Sequence, residues 1–246
     1  MFLSTLYGEN IMTIQKTLAL VLVAGAVVTN QANAKFYVGA DAGYSQTKAN
    51  QKGSMTVNNT TYSGKANKNT PKGFDGAFRL GFLNNKPGFL WGFETSLGYA
   101  FGSSSKTTSM QANVGKVPAT LTLKSKITRG LTTDVITKLG GKFNQTSVYG
   151  LVGIAFAQFK ENISVNLQTP GNNTFGKNNH TKMLTGITYG AGLMQDINEK
   201  VSAKIEYRHT QYETLNNKFA GNNGLKVNAK IKPVTDAFMA GVVYHL

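Results

Sequence analysis

Phe89-Leu90-Trp91-Gly92-Phe93-Glu94-Thr95-Ser96-Leu97-Gly98-Tyr99-Ala100-Phe101 reads as two sequences interleaved. Phe89, Trp91, Phe93, Thr95, Leu97, Tyr99 and Phe101 make up one; Leu90, Gly92, Glu94, Ser96, Gly98 and Ala100 make up the other. A period of two means a β-strand, because successive side chains leave a strand on opposite faces. The informative point is the character of each face. The core face of a soluble sandwich is usually mixed in size. Here one face is large and aromatic, and the other holds glycine, small residues and a carboxylate. That is a strand with lipid outside and a narrow polar lumen inside. The aromatics at its two ends, Phe89/Trp91 and Tyr99/Phe101, fit the two interfacial girdles of a membrane barrel.

The same alternation extends in both directions. Phe36, Val38, Ala40, Ala42 and Tyr44 face one way upstream, and Phe74, Gly76, Phe78, Leu80 and Phe82 follow them. Downstream, a weaker strand covers about 130–139, with Leu131, Val135 and Leu139 outward. The next presents Val148, Val152, Ile154 and Phe156, although Tyr149 and Leu151 interrupt its facing. Three more show Ile187 to Leu193, Val201 to Tyr207 and Phe238 to Leu246 in the same phase. Short turns fall near 84–88, 140–146 and 196–200; long polar connections fall near 46–73, 102–128, 160–182 and 211–233. Three short and four long connections fit eight strands with both termini periplasmic. The reading is all-β: an eight-stranded antiparallel up-and-down transmembrane β-barrel with long extracellular loops. A soluble β-sandwich is the rival, but a compact domain rarely carries four loops of that length.

The N-terminus carries a different signal. Lys16, the apolar run Leu18 to Val28 and the Ala32-Asn33-Ala34 site form a secretory signal peptide. The run is shorter than the ~18–20 residues of a membrane helix. Residues 1–34 are therefore expected to be the leader, with translation starting at Met12, and residues 35–246 the barrel. The chain has no cysteine. An exported protein without disulfides must be held by its fold alone, as a closed ladder of backbone hydrogen bonds allows.

Tyr189-Gly190-Ala191-Gly192-Leu193, then Val201-Ser202-Ala203-Lys204-Ile205-Glu206-Tyr207, resembles the Ail/Lom/outer-membrane-protein-X family within the opacity and OmpA-like barrel group. So do Val148-Tyr149-Gly150-Leu151-Val152-Gly153 and Ala240-Gly241-Val242-Val243-Tyr244-His245-Leu246. The resemblance covers the strand regions and not the connections. It departs at Leu246, where such barrels usually end in phenylalanine. It implies a monomeric barrel with roles in adhesion, serum resistance or surface integrity, which vary between members.

Seven charged residues fall on inward positions: Asp41, Arg79, Glu94, Lys138, Lys204, Glu206 and Arg208. Ionised groups in a narrow lumen must be paired, so Arg79, Glu94, Lys204, Glu206 and Arg208 are expected to form a structural network that fills it. A pore lining is the alternative. The formal net charge is +15, and losing Lys16 and Glu9 with the leader leaves it unchanged. The long connections are rich in lysine, including Lys65, Lys68, Lys124, Lys126, Lys226 and Lys230, and their only acids are Glu161 and Glu213. Such a surface attracts polyanions. The expected partners are outer-membrane lipid and lipopolysaccharide, with host glycans or surface proteins as further candidates. Nucleic acid is not expected, because aromatics are not interleaved with the basic residues to stack bases. No cofactor, metal site or catalytic set is expected. His180, His209 and His245 have no metal-ligand spacing, and no nucleophile elbow is present. His209 with a nearby Ser or Asp is the one starting point for an enzyme. The preferred function is a non-enzymatic surface barrel, an adhesin or immune-evasion factor; the alternatives are a passive pore or structural barrel, and a barrel enzyme.

Overall fold

The computed structural model describes residues 34–57, 60–86, 88–114, 117–169, 172–220 and 226–246. The leader and the Met12 start lie outside the described residues. Eleven strands form in chain order: β1 (Ala34–Val57), β2 (Thr60–Asn69), β3 (Lys72–Lys86), β4 (Phe89–Ala100), β5 (Ser103–Val114), β6 (Val117–Phe143), β7 (Thr146–Thr169), β8 (Asn172–Asp196), β9 (Val201–Tyr212), β10 (Leu215–Ala220) and β11 (Lys226–His245). Eight of them, β1-β3-β4-β6-β7-β8-β9-β11, pair antiparallel around a ring that β11 and β1 close from Tyr37↔His245 to Thr56↔Lys226. Closure leaves no edge in the hydrocarbon layer, which an open sheet could not survive.

The facing follows from composition. Phe74 is 71% exposed, Phe78 76% and Phe238 66%, whereas Glu94, Ser202 and Leu90 are sealed inside. Phe82 shares the outward phase but is buried by its own neighbours: the Phe36, Trp91 and Phe93 rings lie 6.3, 5.4 and 5.5 Å from it. Tyr149 and Leu151 do not break the alternation of β7. Both are buried and inward, opposite in phase to exposed Val148 and Val152.

The periplasmic turns are tighter than the sequence implied. Asn144 adopts φ 53° between Phe143 and Thr146, a left-handed conformation that asparagine tolerates. Gly88, at φ 81°, turns β3 into β4. The Asn198 side chain accepts from the amides of Lys200 (2.9 Å) and Val201 (2.8 Å) and closes the β8–β9 turn.

The four long connections reach beyond the barrel wall, and most of their described length is paired strand rather than irregular chain. β1 continues to Val57, β6 starts at Val117, β7 runs to Thr169, β8 starts at Asn172, and β2, β5 and β10 exist only in this upper region. Above the barrel the chain rises as two antiparallel sheets, β2-β1-β11-β10 and β5-β6-β7-β8. Their polar composition hid them: Lys48, Lys124, Lys126, Lys160, Lys230 and Lys232 take the outward positions that aromatic residues hold in the barrel wall, so the hydrophobic contrast between faces is weaker in sequence. In β6 a bulge between Arg129 and Thr132 inserts one residue and flips the phase. Asp134, Ile136 and Lys138 hold the inward positions below it; Arg129 and Ile127 hold them above.

Candidate functional site

The centre of the lumen is a closed lattice of charge. Glu94, on β4, accepts from Tyr37 Oη (2.7 Å), Arg79 (2.8 Å), Lys138 (2.7 Å), Lys204 (3.1 Å) and Arg208 (2.9 Å). Glu206, on β9, accepts from Lys138 (2.8 Å), Tyr149 Oη (2.7 Å) and Arg208 Nε (2.9 Å). Asp41 pairs with Arg79 and, at 3.3 Å, with Lys204; Asp134 pairs with Arg208 at 2.9 Å. Four acids thus face four bases, and the centre is electrically neutral. Neutrality with dense hydrogen bonding is what makes ions tolerable away from water. The structure brings together all five residues expected there, Arg79, Glu94, Lys204, Glu206 and Arg208, and adds Asp134, Tyr37 and Tyr149. One level up, Arg129 pairs with Asp75 and reaches Thr47 at 3.4 Å. That pair depends on the β6 bulge, which no simple alternation reveals.

Apolar layers close the lumen at both ends. Tyr37, Leu83, Leu90, Ile136, Tyr149, Leu151, Met194 and Val243 pack on the periplasmic side. Ala49, Ile127, Ala155, Ala157, Phe159, Leu184, Tyr212, Leu215 and Ile231 pack on the other. The cavity left in the upper layer is about 10 Å³, room for about one water at most.

The basic rim is structured. Lys48, Lys72, Lys124, Lys126, Lys160, Lys230 and Lys232 are exposed and share the outward phase of their strands. Six of them form two groups, one per sheet: Lys124, Lys126 and Lys160 on β6 and β7, and Lys48, Lys230 and Lys232 on β1 and β11. Lys65 and Lys68 lie in β2 and Lys226 begins β11; their side chains fall outside the described residues. Of the two acids in these connections, Glu161 is buried and Glu213 is exposed.

The histidines do not assemble a triad. His209 Nδ1 lies 2.7 Å from Asp236, which also accepts from Tyr207 Oη (2.8 Å) and Lys48 (3.2 Å). This cluster sits on the outward face just above the outer girdle. Partial burial pushes the Asp236 carboxyl up, but the hydrogen bonds from His209, Tyr207 and Lys48 outweigh it and hold the group below the usual range. Ser202, His245 and Asp196 meet at the periplasmic mouth, but the Ser202 hydroxyl donates to Asp196 (2.7 Å), so His245 Nε2, 2.8 Å away, donates to the serine oxygen. An imidazole in that role cannot take the serine proton. His180 is an exposed residue of β8. Among the described residues no group of three or more His, Asp or Glu could hold a metal ion.

The profile of the family described as outer membrane protein beta-barrel domain matches residues 17–245. No curated protein matches the sequence. Among solved structures, the outer membrane protein OprG from Pseudomonas aeruginosa superposes with a TM-score of 0.50 at 10% identity, covering 87% of this chain and 97% of that one. A major outer membrane protein from Thermus thermophilus gives 0.46 at 15% identity, with coverage of 88% and 100%. Ail of Yersinia pestis, in complex with the heparin analogue sucrose octasulfate, gives 0.36 at 14% identity, with coverage of 86% and 99%. At these identities the OprG likeness is one of fold alone.

Proposed function

The chain belongs to the outer-membrane β-barrel domain family, and from that premise we propose that it is a monomeric, non-enzymatic surface barrel that engages polyanions through its lysine-rich upper sheets. Export by a leader ending at Ala34 is part of the same proposal. The observation that carries it is the asymmetry of the rim. Lys124, Lys126 and Lys160, and likewise Lys48, Lys230 and Lys232, stand on paired strands with few acids among them. Neighbouring lysines two positions apart on one strand are ~7 Å from each other, within the Debye length of ~8 Å at physiological salt. They therefore act as one field. Lysine point charges rather than arginine forks favour diffuse attraction to phosphate or sulfate over bidentate recognition of one group. The partner class is lipopolysaccharide phosphate or sulfated host glycan, and the role is adhesion or another host interaction.

The sealed lumen speaks against a passive pore and leaves a purely structural barrel as the second reading. Heparin binding separates the two. The native barrel is expected to bind heparin with an affinity that falls steeply with salt. A Lys124→Gln, Lys126→Gln, Lys230→Gln, Lys232→Gln variant that keeps heat-modifiable gel migration is expected to lose most of that affinity. Unchanged binding in the variant sinks the polyanion reading and leaves the structural one.

A further inference from the structure

Above the membrane the wall parts beside β8. β8 and β9 pair from Asp196↔Ser202 up to Gly186↔Tyr212, and among the described residues no strand pairs on that side of β8 beyond this point. β10 pairs with β11 instead. The reason lies at Glu213-Thr214. From Gln211↔Val234 to Leu215↔Ile231 the chain advances four residues on the β9–β10 side against three on β11. One extra residue is a bulge, and a bulge bends the strand that carries it. Burial shows the same step: Tyr212 and Leu215 are buried, while Glu213 and Thr214 between them are exposed.

Glu213 also ends the ladder chemically. Its amide donates to the Thr185 carbonyl at 2.8 Å, as a regular antiparallel pair requires. The return bond goes elsewhere: the Thr185 amide donates to the Glu213 carboxylate at 3.0 Å. A side chain has taken the place of the backbone acceptor, and β8 goes on without a neighbour.

What remains is an open strand edge. Thr185 turns both its amide and its carbonyl toward β9, so Met183, Thr181 and Asn179 turn theirs the same way by the period of two. Asn179, His180, Thr181 and Lys182 are exposed in succession, on both faces of the strand. Lys182 and His180 share the phase of Leu184 and Thr188, which are sealed in the lumen, so their exposure marks the gap in the wall. The other side of β8 is fully engaged, pairing with β7 without a shift from Thr146↔Gln195 to Thr169↔Asn172. The edge is therefore straight and fixed in place.

Proteins usually blunt such an edge with proline, a bulge or charge. Residues 172–184 contain no proline and no acid; Lys177, Lys182 and His180 are their only ionisable residues. β10, across the gap, adds Lys218 and no acid. The carboxylate of Glu213 is engaged at Thr185. Two copies of this edge would set like charges against each other. An acidic strand finds both the backbone partners and the opposite charge.

We propose that the free edge of β8 takes up an extended acidic segment of a partner protein, added as an antiparallel strand opposite Asn179, Thr181 and Met183. Main-chain hydrogen bonds supply the affinity and side-chain charge the selection. The inference goes beyond the polyanion reading: lysine faces attract any anion, whereas only a peptide can pair with the amides of an edge.

The folded barrel in phosphatidylcholine nanodiscs is titrated with a fluorescent peptide of alternating glutamate and valine, and hydrogen exchange is read at single amides. Binding is expected to slow exchange severalfold at Asn179, Thr181 and Met183. His180 and Lys182, whose amides face β7, are expected to stay as they were. The same peptide with every amide N-methylated keeps its charge but cannot pair, and is expected to bind severalfold more weakly. A peptide with lysine in place of glutamate is expected to do the same. Thr181→Pro removes an edge amide and sets a ring in the path of the added strand, so it is expected to lose most of the affinity, with heat-modifiable migration checking the fold. Lys182→Gln leaves the backbone untouched and is expected to weaken the glutamate peptide severalfold. Equal binding of the N-methylated peptide overturns the proposal, as does unchanged exchange at Thr181 in the presence of peptide. Heparin binding is expected to survive Thr181→Pro, so the two proposals fail separately.

Discussion

At the scale of single residues, Glu94 carries the densest set of contacts in the lumen lattice among the described residues. Five donors converge on it, and four of them are bases that share the other three acids. Glu94→Gln leaves Arg79, Lys138, Lys204 and Arg208 facing three acids inside a sealed lumen. Breaking a buried ion network in this way costs about 3–5 kcal/mol, and urea unfolding of the barrel in vesicles is expected to show a loss of that order. A loss within error of zero would mean that the lattice is wet and weak. A second residue carries a pH dependence. Asp196, at the end of β8, accepts from Lys142 (2.6 Å) and Ser202 (2.7 Å). Partial burial raises its carboxyl, but those two partners outweigh burial and hold it below its ordinary value. A depressed carboxyl stabilises the fold above the unfolded value of about 4, and the contribution disappears as pH falls through the lower, folded value. Asp196→Asn is therefore expected to flatten the acid limb of stability against pH, measured by unfolding midpoints. An acid limb identical to the native one would rule out this assignment.

At the scale of elements, the β6 bulge decides more than its size implies. Without the extra residue between Arg129 and Thr132, the described side chains from Lys124 to Arg129 would change face. Arg129 and Ile127 would point to lipid or water, and Lys124 and Lys126 would point into the upper apolar layer. Deleting Gly130 is expected to abolish heat-modifiable migration. Gly130→Ala should preserve it, because the added Cβ meets only the flexible Gln158 side-chain oxygen, at 2.9 Å. Equal behaviour of the two variants would show that the bulge does not set the phase. The upper sheets teach a related point. Leu121-Thr122-Leu123 and Val165-Asn166-Leu167 alternate in sequence and pair with each other in register. Each run is too short and too polar on its flanks to distinguish a strand from a loop, and only the partner strand settles it.

At the scale of the whole molecule, the two apolar layers and the charge lattice between them form a continuous plug. Planar bilayers containing the protein are expected to show no stable open conductance. Leu184→Ala with Phe159→Ala is expected to stay closed as well, because the charge lattice still blocks the middle, while stability falls by about 2–5 kcal/mol for each truncated side chain. A steady ohmic channel in the native protein would overturn the plug. N-terminal sequencing of the outer-membrane form is expected to begin at Lys35, and any other start would move the leader boundary. The likeness of the two layers to a soluble core was not legible in the sequence, since Tyr149, Leu151, Phe159 and Tyr212 are large apolar residues in a lumen expected to be polar.

The alternation from Phe89 to Phe101 alone determined that this chain forms strands with an aromatic lipid face, because a period of two and the size contrast between faces are local properties. Counting turns extended that to eight barrel strands, and phase alone located Arg79, Glu94, Lys204, Glu206 and Arg208 in the lumen. Which charge meets which, the place of Asp134 and Arg129 and the apolar seals all depend on register between strands far apart in sequence. Register in a closed barrel is set by every neighbour at once, so the tertiary structure alone could decide them.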